Sequence, residues 1–251
     1  MELLPIWHLA PMRALFAGPL GHNAPHAHSV PVLLAGLYEA FRLRIAGSDW
    51  RPCRTAVIPA GVSYEFDVAG RPLAVLYLEP GEAGADALAP LVAEASEQSG
   101  ALVGLACGVS KELRAIYEAR DGARIVPDAL DDLLGFASRR VRRTLDPRIA
   151  RAITSLSAER EEGMRVVDAA RAVGLSPSRF QHLFAEEVGV PFRRFRVWRR
   201  LRGAIGSIAA GSSFTEAAHG AGFFDQAHFA RAFRQAFGAP ASPSLRKVRR
   251  G

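Results

Sequence analysis

Residues 214–238 read Phe214-Thr-Glu-Ala-Ala-His-Gly-Ala-Gly-Phe-Phe-Asp-Gln-Ala-His-Phe-Ala-Arg-Ala-Phe-Arg-Gln-Ala-Phe-Gly238, and their spacing repeats an earlier stretch. The first copy runs Ala170-x3-Gly174, then Phe180-x3-Phe184, then Gly189; the second runs Ala218-x3-Gly222, then Phe229-x3-Phe233, then Gly238. Phe-to-Phe is 4 and Phe-to-Gly is 5 in both. Each copy therefore predicts a short helix, a tight turn at Gly, and a second helix capped by Ser176 or Asp225. The small Ala lets the second helix cross closely over the first, as in a helix-turn-helix.

The amphipathic split of each second helix suggests its use. Phe180, Leu183, Phe184 and Val188 form one buried stripe, and Phe229, Ala232, Phe233, Ala236 and Phe237 form the other. Ser178, Arg179, Gln181 and His182 are left facing outward in the first copy, and Gln226, His228 and Arg231 in the second. Gln and Arg pair bidentately with adenine and guanine in the major groove. The bland account, that any helical hairpin has polar outer residues, does not explain a duplicated pattern in a basic setting.

Between the copies, Pro191 suits a helix start and the pattern continues from Phe192 to Ala210, ending at Gly211. A connector of this length is roughly 29 Å, close to one turn of B-DNA at about 34 Å, so both second helices can enter successive major grooves. Its start carries Arg193, Arg194, Arg196, Arg199, Arg200 and Arg202 as candidate phosphate clamps, with Phe195 and Trp198 as core. Half a dozen phosphate contacts would give log K against log salt a slope of about −5.

Charge agrees. The chain has 251 residues, with 32 Lys plus Arg and 25 Asp plus Glu. Residues 1–138 hold 10 basic and 16 acidic side chains, a net of −6; residues 139–251 hold 22 and 9, a net of +13. That division suggests two parts with different partners. No run approaches the roughly 20 apolar residues of a membrane span, and Met1-Glu2 lacks a basic signal-peptide start, so a cytoplasmic protein is expected.

Upstream, residues 1–80 carry short apolar runs bounded by turn residues: Val30–Leu37, Phe41–Ile45, Thr55–Pro59 and Leu73–Leu78. They predict a β sandwich or barrel. Residues 81–144 read as a helical connector, with Leu130, Leu133, Leu134 and Ala137 on one face after Pro127-Asp128, and this is the natural place for a homodimer interface. Residues 145–251 read as helical throughout.

These residues make the C-terminal part resemble the AraC/XylS family of bacterial transcription regulators. The family hallmark is met by Ala218, Gly222, Phe223, Asp225, His228, Phe229, Arg231, Phe233 and Gly238, and in the first copy by Ala170, Gly174, Leu175-Ser176-Pro177, Phe180, Phe184, Gly189 and Pro191. The resemblance covers roughly residues 145–250. It implies base contacts from Ser178, Gln181, His182, His228 and Arg231, to which the outward positions Arg179 and Gln226 add. The expected phosphate contacts are Ser176, Arg193, Arg194, Arg196, Arg199, Asp225 and Arg246. Near the end, Leu245 replaces the family's Tyr in Pro243-Ser-Leu-Arg246, with altered spacing.

The N-terminal zone resembles the cupin-type effector domain of such regulators, through His22-x3-His26-Ala-His28 and Val57-Ile-Pro-Ala-Gly61. In cupin enzymes, His-x-His, a following Glu and a later His hold a divalent metal. Here the later His position reads Tyr64, and Glu39 is too far from His28. His22, His26, His28 and Tyr64 are thus expected to line an effector pocket, with His26 and His28 the weak metal candidates.

The expected protein is α+β and multidomain: a cupin-like β-barrel over 1–80, a helical connector over 81–144, and an all-α double helix-turn-helix over 145–251. It would be a non-enzymatic DNA-binding regulator controlled by a small molecule, with double-stranded DNA, the effector, RNA polymerase and a second copy as partners. The competing class is a metal-binding cupin enzyme fused to a DNA-binding tail. Cys53 and Cys107 read as core residues, and Gly100-x3-Gly104-x3-Gly108 lacks the lysine of a phosphate loop. Arg139-Arg140-Val-Arg142-Arg143 reads as a solvated face.

Overall fold

The computed structural model describes residues 3–80, 85–119, 128–135, 145–158, 164–245 and 249–250. The expected Arg246 contact, the Arg139–Arg143 run, Pro127 and Ala137 lie outside them. Nine strands come first: β1 (Ile6–Ala10), β2 (Arg13–Pro19), β3 (His22–His26), β4 (Val32–Gly36), β5 (Phe41–Ile45), β6 (Arg51–Cys53), β7 (Thr55–Ile58), β8 (Tyr64–Asp67) and β9 (Pro72–Leu78). Four more follow: β10 (Val92–Ala93), β11 (Ser96–Gln98), β12 (Ala101–Gly104) and β13 (Ala106–Cys107). A terminal β14 (Arg249–Arg250) pairs parallel with β1.

The strands form an eight-stranded sheet, β11-β12-β7-β4-β9-β2-β1-β14, a four-stranded sheet, β3-β8-β5-β6, and a small β10-β13 pair. Side chains alternate across the large sheet. Leu73, Val75 and Tyr77 of β9 face the space between the sheets, while Ala74, Leu76 and Leu78 face a second core under helix α1 (Ser110–Glu118) and the helical residues 128–135, α2. Burial on both faces explains why β9 is a continuous apolar run. In β5, Phe41, Leu43 and Ile45 are buried and Arg42 is exposed, as the strict alternation requires.

The sheet-rich N-terminal part agrees with the expected fold class, but the barrel is not closed. No ladder joins the large and four-stranded sheets among the described residues. Pro25 removes a donor from β3, whose register shifts between Asn23 and His26, so this strand cannot zip onto another along its length.

The helical reading of 81–144 fails over residues 92–107, which are the strands β10–β13. Gln98 pairs with Ala101 across a two-residue turn in which Ser99 (φ 48°) and Gly100 (φ 79°) both take positive φ. That is a type I′ hairpin turn, whose twist matches the strands. A Cβ on Gly104 would meet Ala93 O at 2.4 Å, so the close approach of β10 explains the glycine at that position.

The helices are α3 (Pro147–Ala158), α4 (Val166–Ala172), α5 (Pro177–Val188), α6 (Phe192–Ala209), α7 (Phe214–Gly220), α8 (Gln226–Phe237) and α9 (Ala241–Leu245). The two repeats are α4–α5 and α7–α8, and α6 joins them. Their turns use Gly174 (φ 70°) and Gly222 (φ 72°), and α5 and α8 end on left-handed Gly189 and Gly238. One apolar cluster runs from between the sheets into these helices, so the two parts share a core. No described helix is long and apolar enough to cross a membrane.

Candidate functional site

Ser176 caps α5 by accepting from Arg179 N at 3.3 Å, and Asp225 Oδ1 caps α8 by accepting from His228 N at 2.6 Å. With its carboxylate so engaged, and repelled by phosphate, Asp225 is a helix cap rather than the expected phosphate contact. The caps leave the N-terminal turns of α5 and α8 exposed. Ser178, Arg179, Gln181 and His182 are exposed on α5, as are Gln226 and Arg231 on α8, with His228 half-buried. Phe224 N donates to His228 Nδ1 at 3.3 Å, so the neutral ring carries its proton on Nε2. Thr215 donates to Gln226 Oε1 at 3.2 Å, tying α8 to α7.

The arginines of α6 divide by face. Arg193 is exposed and Arg196 half-buried. Arg199 is 7% exposed and its guanidinium meets the carboxylate of Glu79, itself fully buried just after β9. Trp198 Nε1 donates to the same carboxylate at 3.3 Å, and Arg202 Nε lies 3.4 Å from it. Arg202 also donates to Ala10 O. Arg199 is therefore an interdomain contact and not the expected phosphate clamp: facing the sheets, it needs an acidic partner to be buried. Arg194 Nη2 donates to Ala27 O at 2.5 Å, and Arg200 bonds Ala221 O at 2.9 Å over the ring of Phe223.

A cavity of about 430 Å³ opens between the sheets and the C-terminal end of α8. The four residues expected to line an effector pocket, His22, His26, His28 and Tyr64, all line it. His26 and Tyr64 rings lie 4.4 Å apart and His26 and His28 5.0 Å. Its remaining wall includes Trp7, Phe16, Asn23, Tyr77, Phe233, Phe237 and Ser244. Asn23 Nδ2 donates to Phe237 O at 2.7 Å and Ala24 N to Gly238 O at 2.9 Å, so the edge of β3 is satisfied by the end of α8.

Burial holds both histidines neutral. His26 is lowered to about 4, the loss of solvent outweighing its bond to Ala24 O. His28 is lowered well below its ordinary value by burial first, then by His26 and Arg194. Burial pushes the Tyr64 hydroxyl up. Among the described residues no three His, Cys, Asp or Glu side chains converge as a metal site. His26 Nδ1 already donates to Ala24 O at 2.7 Å, leaving Nε2 as its ligating atom.

Sequence reasoning missed Asn23, Tyr77 and Glu79. Glu79 left one signal, an acidic residue directly after a continuous apolar strand. Phe233 and Phe237 were expected as helix core, but they are also the cavity wall.

Residues 169–247 match the family model described as a helix-turn-helix domain. The C-terminal region is an AraC-type helix-turn-helix domain. No curated protein matches the chain. The fold, helix-turn-helix domain included, is similar to that of an apo variant of ToxT from Vibrio cholerae, with a TM-score of 0.62 and 11% identity over 95% of this chain and 98% of that one. It is likewise similar to wild-type ToxT with an unsaturated fatty acid bound, with a TM-score of 0.62 and 12% identity over 96% and 97%. ToxT bound to (E)-4-(8-methylnaphthalen-1-yl)but-3-enoic acid gives 0.57 and 11% over 93% and 98%. The helix-turn-helix domain thus sits on a sheet domain in the ToxT-like two-part arrangement.

Proposed function

We propose that this chain is a sequence-specific DNA-binding transcriptional regulator whose DNA affinity is set by a small molecule in the cavity between the sheets and α8. One observation carries the reading: the cavity wall is built from the sheet domain on one side and from the second recognition helix, through Phe233 and Phe237, on the other. An occupant that favours one docking of α8 over another shifts the population of DNA-competent molecules by its differential affinity. ToxT has been solved with an unsaturated fatty acid bound, which supports a small-molecule occupant here.

In this reading Ser178, Arg179, Gln181 and His182 read one major-groove segment, and Gln226, His228 and Arg231 the next. Arg193, Arg196 and Ser176 hold phosphates, and Arg194 joins them if it leaves Ala27. The DNA-binding module spans 145–251. The protein acts by binding rather than catalysis, in the cytoplasm, as a homodimer paired through 81–144, with RNA polymerase as its partner at the promoter. Footprinting on genomic fragments tests the core of the reading: selective, salt-sensitive protection is expected, and uniform binding to any duplex overturns it. Sedimentation tests the dimer, with a monomer at every concentration overturning it.

A further inference from the structure

We propose that the cavity takes an uncharged ligand with a flat apolar body and one group that both donates and accepts a hydrogen bond, and that it selects against carboxylates. This rests on reading the cavity as the effector site.

The body is set by the rings. Trp7 stacks near Tyr77 with centroids 6.0 Å apart, Tyr64 near Phe66 at 6.2 Å, and Phe237 stands edge-on to Tyr77 at 6.0 Å. Such walls favour a planar apolar guest.

The polar end is set by three buried side chains that line the same cavity: Asn23 (6% exposed), His28 (3%) and Tyr64 (2%). Among the described residues, Asn23 Oδ1, His28 Nδ1 and the Tyr64 hydroxyl have no hydrogen-bond partner. Buried polar groups in that state ask for one. The bond from Asn23 Nδ2 to Phe237 O fixes the amide, so its free Oδ1 can only accept. A ligand hydroxyl or amide donates to Asn23 and accepts from Tyr64. A carboxylate only accepts, so it meets Asn23 Oδ1 with like polarity.

Charge points the same way. Among the described residues, no Asp, Glu, Lys or Arg lines the cavity. Of the guanidiniums on adjoining elements, Arg44 is engaged with Glu65 and Arg194 with Ala27 O. Burial also keeps His26 and His28 uncharged. A carboxylate would lose its hydration without gaining a cation.

Calorimetry on the full chain near neutral pH, with 1-naphthol and 1-naphthoate as probes, tests this on the wild type and Tyr64→Phe. Naphthol is expected to bind at least about tenfold tighter than naphthoate, and Tyr64→Phe to weaken naphthol by about threefold to tenfold. Equal or tighter binding of naphthoate, no binding of either, or naphthol affinity unmoved by Tyr64→Phe overturns the proposal. Titration of operator DNA with the same probes separates the two readings. Naphthol that binds through Tyr64 without changing DNA affinity upholds the ligand class and defeats the effector role. Naphthoate that binds tighter and shifts DNA affinity does the reverse.

Discussion

Arg199 on α6 and Glu79 at the end of β9 form an ion pair buried between the two halves of the molecule, with Trp198 and Arg202 on the same carboxylate. Removing one member leaves uncompensated charge in the interior, which costs about 3–5 kcal/mol. Glu79→Ala should therefore lower the midpoint of urea unfolding or split the transition into two. A single transition at the wild-type midpoint would show that the pair adds nothing to docking.

The same burial changes the expected DNA phenotype of Arg199. Arg196→Ala should weaken binding uniformly across sequences and make the salt slope shallower by about 1. Arg199→Ala should leave that slope unchanged, because its guanidinium faces Glu79. Fluorescence anisotropy across a salt series measures both.

Base-reading positions should behave differently. Gln181→Ala and Arg231→Ala should each cost about 1–3 kcal/mol on the best operator and relax preference at one base pair only. Selection from randomised duplexes reads this directly; unchanged preference at every position defeats the assignment.

Two glycines separate domain docking from local turn strain. Gly174 and Gly238 both have positive φ, but a Cβ on Gly174 meets nothing within 4 Å. A Cβ on Gly238 would fall 2.2 Å from Ala24 O and 2.6 Å from His26 Nδ1. Gly174→Ala should cost about 1–2 kcal/mol for the left-handed backbone. Gly238→Ala should cost clearly more and quench or shift Trp198 fluorescence. Equal losses in thermal unfolding would argue against a close contact of α8 with β3.

Acid should destabilise the fold through His26. Its folded pKa, about 4, lies below the ordinary 6.5, so between those values the unfolded chain binds more protons. Stability is thus full above pH 6.5 and falls on acidification towards pH 4, by up to about 3 kcal/mol from this group. His28 adds to the loss in the same direction. Urea unfolding across this range checks the sign, and His26→Asn should flatten the curve.

The repeat made the helix-turn-helix legible because its constraints are local: Gly at a left-handed turn, a cap at a fixed offset, a Phe stripe at helical spacing. The strands β4, β5, β7 and β9 were legible as short apolar runs bounded by turn residues. The hairpin at Ser99-Gly100 was missed because its strands are only three and four residues long, with Val103 the single β-branched residue between them. Arg199 was misread because α6 carries arginines all round, and nothing local says which face meets the sheets. That His22, His26, His28 and Tyr64 share a cavity was legible only through the resemblance to cupin-type domains, whereas Asn23 and Tyr77 entered it through long-range pairing of β3 and β9.

Phe237 both holds α8 to its own domain and forms a wall of the cavity. Its shape is therefore constrained twice over, and drift at this position would cost DNA recognition before it altered ligand choice. On the sheet side, Asn23 shares that double duty through its bond to Phe237 O, whereas Tyr64 makes no hydrogen bond to the helix backbone among the described residues. Relatives that respond to new molecules should diverge on β8, and engineers seeking altered inducers should diversify that strand and leave the helix and Asn23 alone.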